Sequence, residues 1–556
     1  MARSRGWSKI IAPKPTLLPE LETIGFVPAS AKFPRRDGGR RQGAMTPACA
    51  VCLLTAVCIG LASCAVGPDY RSPPTPMPTS FAGASQAAAL RRDANGNNRT
   101  VNTTRWWRAL HDRELDLLID RAIAASPTLE IALNRVQQAR AQEAVFVGAA
   151  LPQLEASEGG AFGSGSDLAR GRASQTLVSA ENAGGVGQIS NLVGFDAAWE
   201  LDVFGKFRRE IESAQYDVEA AMAARNLVLI SLISDVTRAY LDMRALQMQL
   251  VVVRKNIEVA NKYVAVVQER FNRGITNELD VTLAQRELAQ LQSLVAPLVG
   301  QIRVAQYLIA ELVGDYPENL AKELAKSGTF PTLPIRIQSG LPITLLRRRP
   351  DIQEAERQLA SATALIGVAT ADLFPEVAVT ASGGWQQGVG LSAVPINPIW
   401  SLGPAVAAPL LDFGRLDAIV EKADFRQREL FFSYKQTVLN AVRDVDSAVV
   451  SFAAQQDRVR HLGEALVPAK KAVTLAEERF DRGLIDFLNV IDAQRQEYEL
   501  ETQYVIAQQA EADAFVLLYR SLGGGWEDYQ MIPPIPPPLP AIVAAVRSLF
   551  APNAGP

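Results

Sequence analysis

Apolar residues along this chain follow two periods. Val253, Ile257, Ala260, Val264, Val267 and Phe271 recur in steps of four and three, and so do Leu288, Leu291, Val295, Leu298, Ile302, Ala305, Ile309 and Leu312. That spacing lays each set along one stripe of a helix, the seam by which helices pack lengthwise. Neither proline nor internal glycine lies between Gly205 and Phe271, which predicts a single helix of 66 residues, about 100 Å long. Pro297 interrupts the second seam and predicts a kink. Helices of that length exceed an ordinary globular core and predict an elongated tube or rod.

The second period is two. Val193, Phe195, Ala197, Trp199 and Leu201 alternate with Gly194, Asp196, Ala198 and Glu200. Val377, Val379 and Ala381, then Trp400, Leu402, Val406, Ala408 and Leu410, continue the theme, weakened by Pro404 and Pro409. Two structures carry such a pattern: a half-buried hairpin, and a membrane strand with one lipid-facing and one wet face. Four spanning strands cannot close a barrel, since the smallest have eight. An open sheet edge is not tolerated in lipid. Membrane strands would therefore form a barrel shared between chains, with eight strands from two chains or twelve from three.

The chain is internally duplicated. Arg270-Phe271-Asn272-Arg273-Gly274 returns as Arg479-Phe480-Asp481-Arg482-Gly483, 209 positions later. Phe204-Gly205 and Phe413-Gly414, Asp235-Val236 and Asp444-Val445, Ala284-Gln285-Arg286 and Ala493-Gln494-Arg495, and Gly314 and Gly523 keep the same offset. Upstream, Pro127 and Pro350, like Pro152 and Pro375, lie 223 apart. The first copy thus holds 14 extra residues between Pro152 and Phe204, where Gly and Ser concentrate, as in an exposed loop tip. The copies span 113–314 and 336–523, joined by a polar bridge at 315–335 and followed by a Pro-rich tail at 524–556. Each is expected to run helix (115–148; 350–372), two short strands around a Gly-rich loop, a very long helix, then a shorter one after the Phe-x-x-Gly turn.

All four cysteines, Cys49, Cys52, Cys58 and Cys64, fall within sixteen positions, so no disulfide framework or cysteine metal site is available elsewhere. The two histidines, His111 and His461, read as solvated or half-buried helix residues. Ala48 to Ala62 is an apolar run of 15 residues preceded by arginines. It suits a secretory signal and is short for a membrane span. The signal region is 1–63, with Met1 or Met45 as the start. Without it, 47 basic and 56 acidic residues remain, a net charge near −9, which argues against nucleic-acid binding. The segment 64–112 is polar and Pro-rich, expected to lie extended along a surface. No phosphate-binding glycine loop and no nucleophile–base–acid set stands out, so neither an enzyme nor a cofactor is expected.

Leu61-Ala62-Ser63-Cys64 resembles a bacterial lipobox, which implies acylation of Cys64 after cleavage and anchoring in the outer-membrane lipid. The rest of the chain resembles the outer-membrane factor (TolC-type) family, in its lipoprotein branch of efflux subunits. The resemblance rests on Cys64-Ala65-Val66-Gly67-Pro68-Asp69-Tyr70, Trp106-Trp107, Leu346-Arg347-Arg348-Arg349-Pro350-Asp351-Ile352, and the repeated Arg-Phe-x-x-Gly followed by Leu279-Asp280-Val281 and Leu488-Asn489-Val490. It implies a homotrimer, with four strands per chain in a shared 12-strand β-barrel and a long periplasmic α-helical barrel. It also implies a passive efflux duct joined through a periplasmic adaptor to an inner-membrane pump of the resistance–nodulation–division class. The tips Arg270, Phe271, Arg273, Gly274 and Arg479, Phe480, Arg482, Gly483 would dock the adaptor. Asp280, Asn489 and Asp492 match the family's constriction, although acidic residues in first helical turns need no such role. The outer component of type I protein secretion and a non-pore coiled-coil envelope lipoprotein are the alternatives.

Overall fold

A computed structural model describes residues 65–74, 103–163, 188–320, 322–325, 330, 331, 333, 348–389 and 397–529. Cys64, the signal region, eight residues of the 315–335 bridge and most of the C-terminal tail lie outside the described residues, as does the Gly/Ser-rich segment 164–187. Helix α1 (Arg113–Ala125) starts at Asp112, whose carboxylate accepts the Glu114 and Leu115 amides, satisfying donors a helix start leaves free. The sequence predicts one helix over 115–148, but the structure has two. Pro127 holds Ser126 extended, with φ −66° and ψ 122°, and opens α2 (Pro127–Ala149) at its first position, where a missing N–H costs nothing.

Strands β1 (Gln153–Gly163) and β2 (Gln188–Leu201) lead into α3 (Lys206–Asn272), one helix of 67 residues. Then come α4 (Glu278–Ser293) and α5 (Val295–Val313). Where the sequence predicts a kink, the helix is interrupted at Leu294. Pro297 cannot bond the Ser293 carbonyl and crowds it. The second copy supplies α6 (Pro350–Ala371), β3 (Glu376–Val389), β4 (Asn397–Ala407), α7 (Arg415–Asp481, again 67 residues) and α8 (Phe487–Ser521). Helix α7 continues through Pro468.

The strands form one antiparallel sheet in the order β1-β2-β3-β4, with Leu154 opposite Ala197, Phe195 opposite Gly383 and Ala381 opposite Leu402. Pro404 lies in β4, which is an edge strand within one chain. Near the sheet the helices pack in the order α2, α3, α6, α7; further away the order is α4 and α5, then α3, α8, α7. Helix α3 is thus flanked on both sides along its length. Helix α7 is flanked by α6 and α8 and, among the described residues, has its other side open. Ile230 on α3 is 2% exposed, while its repeat equivalent on α7, Leu439, is 56% exposed. The larger core gathers Trp106, Trp107, Tyr240, Phe452 and Phe515, with Trp106 stacked on Tyr519 at 5.4 Å. Outside the signal, the sequence shows no long apolar run. Yet α3 and the stretch Glu278–Val313 each hold an 18-residue window of mean hydropathy 1.3, long and apolar enough to cross a membrane by length and composition. The seam residues account for it, interleaved with alanine and uncharged polar side chains.

Candidate functional site

The sheet sorts its residues by face. Directly opposed residues share a face, so Leu154, Val193, Phe195, Ala197, Trp199, Val379, Ala381, Trp385, Trp400, Leu402 and Val406 lie together. Among the described residues no element covers them: Trp400 is 81% exposed, and Leu154, Phe195, Trp385, Leu402 and Val406 are exposed too. The opposite face is polar. There the Ser157 hydroxyl donates to Asp196 at 2.7 Å, and the Ser382 and Ser401 hydroxyls are hydrogen-bonded at 2.7 Å. A half-buried hairpin would hide its apolar face and wet its polar one. This sheet does the reverse: its apolar face is the exposed one among the described residues, and Ser382 on its polar face is buried, as suits a strand whose apolar side meets lipid.

At the far end of α3 and α7, the two Phe-x-x-Gly turns lie side by side. Gly274 and Gly483 have φ 71° and 70°. The Ile275 and Leu484 amides donate back to the Arg270 and Arg479 carbonyls, both at 2.9 Å, closing each helix end. A Cβ on either glycine would meet nothing, so backbone conformation alone demands glycine there. Phe480 is buried in a small core with Val267, Val281, Ala284, Phe487, Val490 and Ile491. The Arg270 guanidinium sits 4.1 Å above its ring and 3.7 Å from the Asp481 carboxylate. Tyr263 donates to Glu477 at 2.5 Å; burial, then this carboxylate, holds its phenol above the ordinary value. Phe271, Arg273, Arg479 and Arg482 are exposed; Arg273 pairs with Glu269 on its own helix.

The expected constriction residues follow the turns. The Asp280 amide donates to Asn277 at 3.1 Å, and its carboxylate accepts the Thr276 hydroxyl. Asn489 is exposed, its side-chain amide 3.4 Å from the Asp486 carbonyl. Asp492 is exposed and accepts from Gln496 at 2.9 Å. Among the described residues, no hydrogen bond joins Asp280 to Asn489 or Asp492; each is held within its own hairpin.

Residues 65–74 form an arm on α3 and α6. Arg209, a buried cation, donates to the Val66 carbonyl at 3.2 Å and to Asp69 at 2.7 Å, with Glu212 on its other side at 2.7 Å. The Val66 amide donates to the Phe204 carbonyl at 3.0 Å, and Ser72 donates to Glu356 at 2.7 Å. The arm thus brings the residue after Cys64 to the end of β2. Sequence reasoning missed Arg209, Tyr263 and Phe487. The last two are readable as differences between the copies, which have Ala472 and Glu278 there.

The sequence pattern of the family described as Outer membrane efflux protein matches residues 118–315 and 341–524. Nodulation protein T of Rhizobium leguminosarum bv. trifolii is 29% identical over 475 residues, 84% of this chain and 95% of its own. Pyoverdine export outer membrane protein OpmQ of Pseudomonas putida is 32% identical over 458 residues, 82% of this chain and 94% of its own. The solved outer-membrane channel OprN superposes with a TM-score of 0.72 at 31% identity, over 83% of this chain and 100% of its own.

Proposed function

Since this chain belongs to the outer membrane efflux protein family, we propose that three copies form the passive outer-membrane duct of a tripartite efflux system. The carrying observation is the four-stranded sheet with an uncovered apolar face, a polar opposite face and two open edges. Three such sheets joined edge to edge make twelve strands, with every backbone group paired and the apolar face toward lipid. The helices have the matching need. The window of mean hydropathy 1.3 in Glu278–Val313 is only 22% buried in one chain, and the open side of α7 offers it a place on a neighbour.

The duct hands cargo from an inner-membrane pump, of the resistance–nodulation–division class, through a periplasmic adaptor that docks on the hairpin tips. Exposed Ile275, Leu279, Leu484 and Leu488 beside Arg273 and Arg482 offer it an apolar and cationic surface. Asp280, Asn489 and Asp492, repeated by threefold symmetry, ring the axis just inside the tips and favour cations. The arm begins with Ala65 and Val66 beside Phe204 and Gly205, just past the end of β2, so the acyl chains on a lipidated Cys64, the preceding residue, would enter the same lipid layer as the strands. A relative named for pyoverdine export supports small-molecule cargo. In planar bilayers the purified full chain is expected to conduct ions and to run as a heat-dissociable oligomer in detergent gels. A preparation that inserts but never conducts would refute the duct.

A further inference from the structure

The tip contains a second junction whose parts are present but not joined within the chain. Inside one chain, α3 reaches α7 across the start of α8. The Arg270 guanidinium covers the Phe480 ring at 4.1 Å, donates to the Phe480 carbonyl at 3.3 Å and faces Asp481. Phe487 lies 5.4 Å from Phe480 and 5.9 Å from Tyr263. The 209-residue offset gives every member an equivalent: Arg479 for Arg270, Phe271 for Phe480, Asn272 for Asp481, Glu278 for Phe487, Thr282 for Ile491 and Ala472 for Tyr263. These equivalents stay apart. Phe271 is 39% exposed where Phe480 is 6% exposed, and Arg479 has no ion-pair or ring partner among the described residues.

The packing order says where they meet. Far from the sheet, α3 is followed by α8 and then α7. In a closed ring of copies, α7 is followed by α4 and α3 of the next chain. Arg479 then takes the part of Arg270, over Phe271 of a second copy, with that copy's Glu278 where Phe487 would stand. Opposite charges at Arg479 and Glu278 favour the contact. We propose that Arg479 docks against Phe271 and Glu278 of a neighbouring copy, and that these polar junctions part before the apolar junction inside each chain. This rests on the ring assembly proposed above and adds which seams of the tip give way. The inner junction excludes water with Tyr263, Phe480, Phe487 and Ile491. The outer one puts alanine, glutamate and threonine at three of those four places, so parting it exposes less apolar surface.

Two cysteine pairs in the full-length protein test the contact. With a short bismaleimide in outer-membrane fragments, Phe271→Cys with Arg479→Cys is expected to give two- and three-chain bands, and Arg270→Cys with Phe480→Cys to stay at one-chain mass. Native mass spectrometry of the same samples separates the outcomes. Single-chain products from the first pair in a trimeric sample would overturn the contact alone; an unassembled sample would overturn the ring. For the order of parting, Glu278→Phe is expected to lower open-channel probability in bilayers several-fold. An unchanged probability would overturn that part.

Discussion

Phe271 and Phe480 occupy the same place in the same five-residue string, yet truncating them should differ sharply. Phe480 is 6% exposed, packs on Phe487 at 5.4 Å and carries the Arg270 cation on its face at 4.1 Å. Phe480→Ala removes a buried ring, which costs about 3–5 kcal/mol. The lost cation–ring attraction adds about 1 kcal/mol; the Arg270 bond to the 480 carbonyl survives, since it uses the backbone. A loss of about 4–6 kcal/mol makes local opening of the tip at least a thousandfold more frequent. Phe271, already 39% exposed, gives up far less on truncation, about 1–2 kcal/mol, or roughly tenfold. Hydrogen exchange of the detergent-solubilised protein reads this directly, in peptides covering 263–284 and 473–491. Phe480→Ala should deprotect both stretches, because Val267, Val281 and Ala284 share its core. Equal effects from the two variants, or none from Phe480→Ala, would refute the claim that this core ties the hairpins together.

Gly483→Ala meets no steric neighbour and bears only the cost of φ 70°, about 1 kcal/mol. Gly523→Ala adds a clash with the Arg349 side chain at 2.7 Å to a φ of 69°, so its oligomer should dissociate at a lower temperature than that of Gly483→Ala. Asp513 is pushed up to about 6 by burial and then by Asp242, against the pull of Arg238. Its contribution to stability is therefore complete below about pH 4 and lost as pH rises through 6. Asp513→Asn should be heat-resistant relative to the parent at pH 7.5, with the gap closing between pH 6 and 4. Asp492→Ala should weaken block by divalent cations in bilayers; unchanged block would remove Asp492 from the constriction.

The long helices were legible because their signal is an absence: nothing between Gly205 and Phe271 interrupts a helix, and α3 ends one residue past Phe271. The repeat then fixes α7, with boundaries displaced by the same 209 residues. The strands were legible as alternation, but their environment was not. Only the register shows that the apolar sides of all four line up on one uncovered face. Proline was an uneven guide. Pro127 and Pro297 each coincide with a break, while α7 passes through Pro468. The local rule records one lost hydrogen bond and cannot see lateral support, such as Lys470 beside that proline reaching Glu501 on α8 at 3.4 Å. The arm was legible only as extended, since Arg209, which holds it, lies 140 residues from Asp69.

A duplicated chain in a closed ring faces a choice that its sequence records. Were both copies identical, a trimer would have six equivalent seams at the tip, and any force that opened one would open all. Here the copies agree where geometry is shared: Gly274 and Gly483 close their helices through the same bonds, with the Ile275 and Leu484 amides both at 2.9 Å from their acceptors. They disagree where each hairpin meets its neighbour, at Tyr263 and Ala472, Glu278 and Phe487, and Asn272 and Asp481. The substitutions run one way, placing rings and a carboxylate partner for Arg270 inside the chain and smaller or polar groups at the seam between chains. Since burial of rings outweighs an exposed ion pair by several kcal/mol, six nominal seams reduce to three strong and three weak. Each chain then moves its two hairpins as one body, and the width of the exit is governed at the three subunit boundaries.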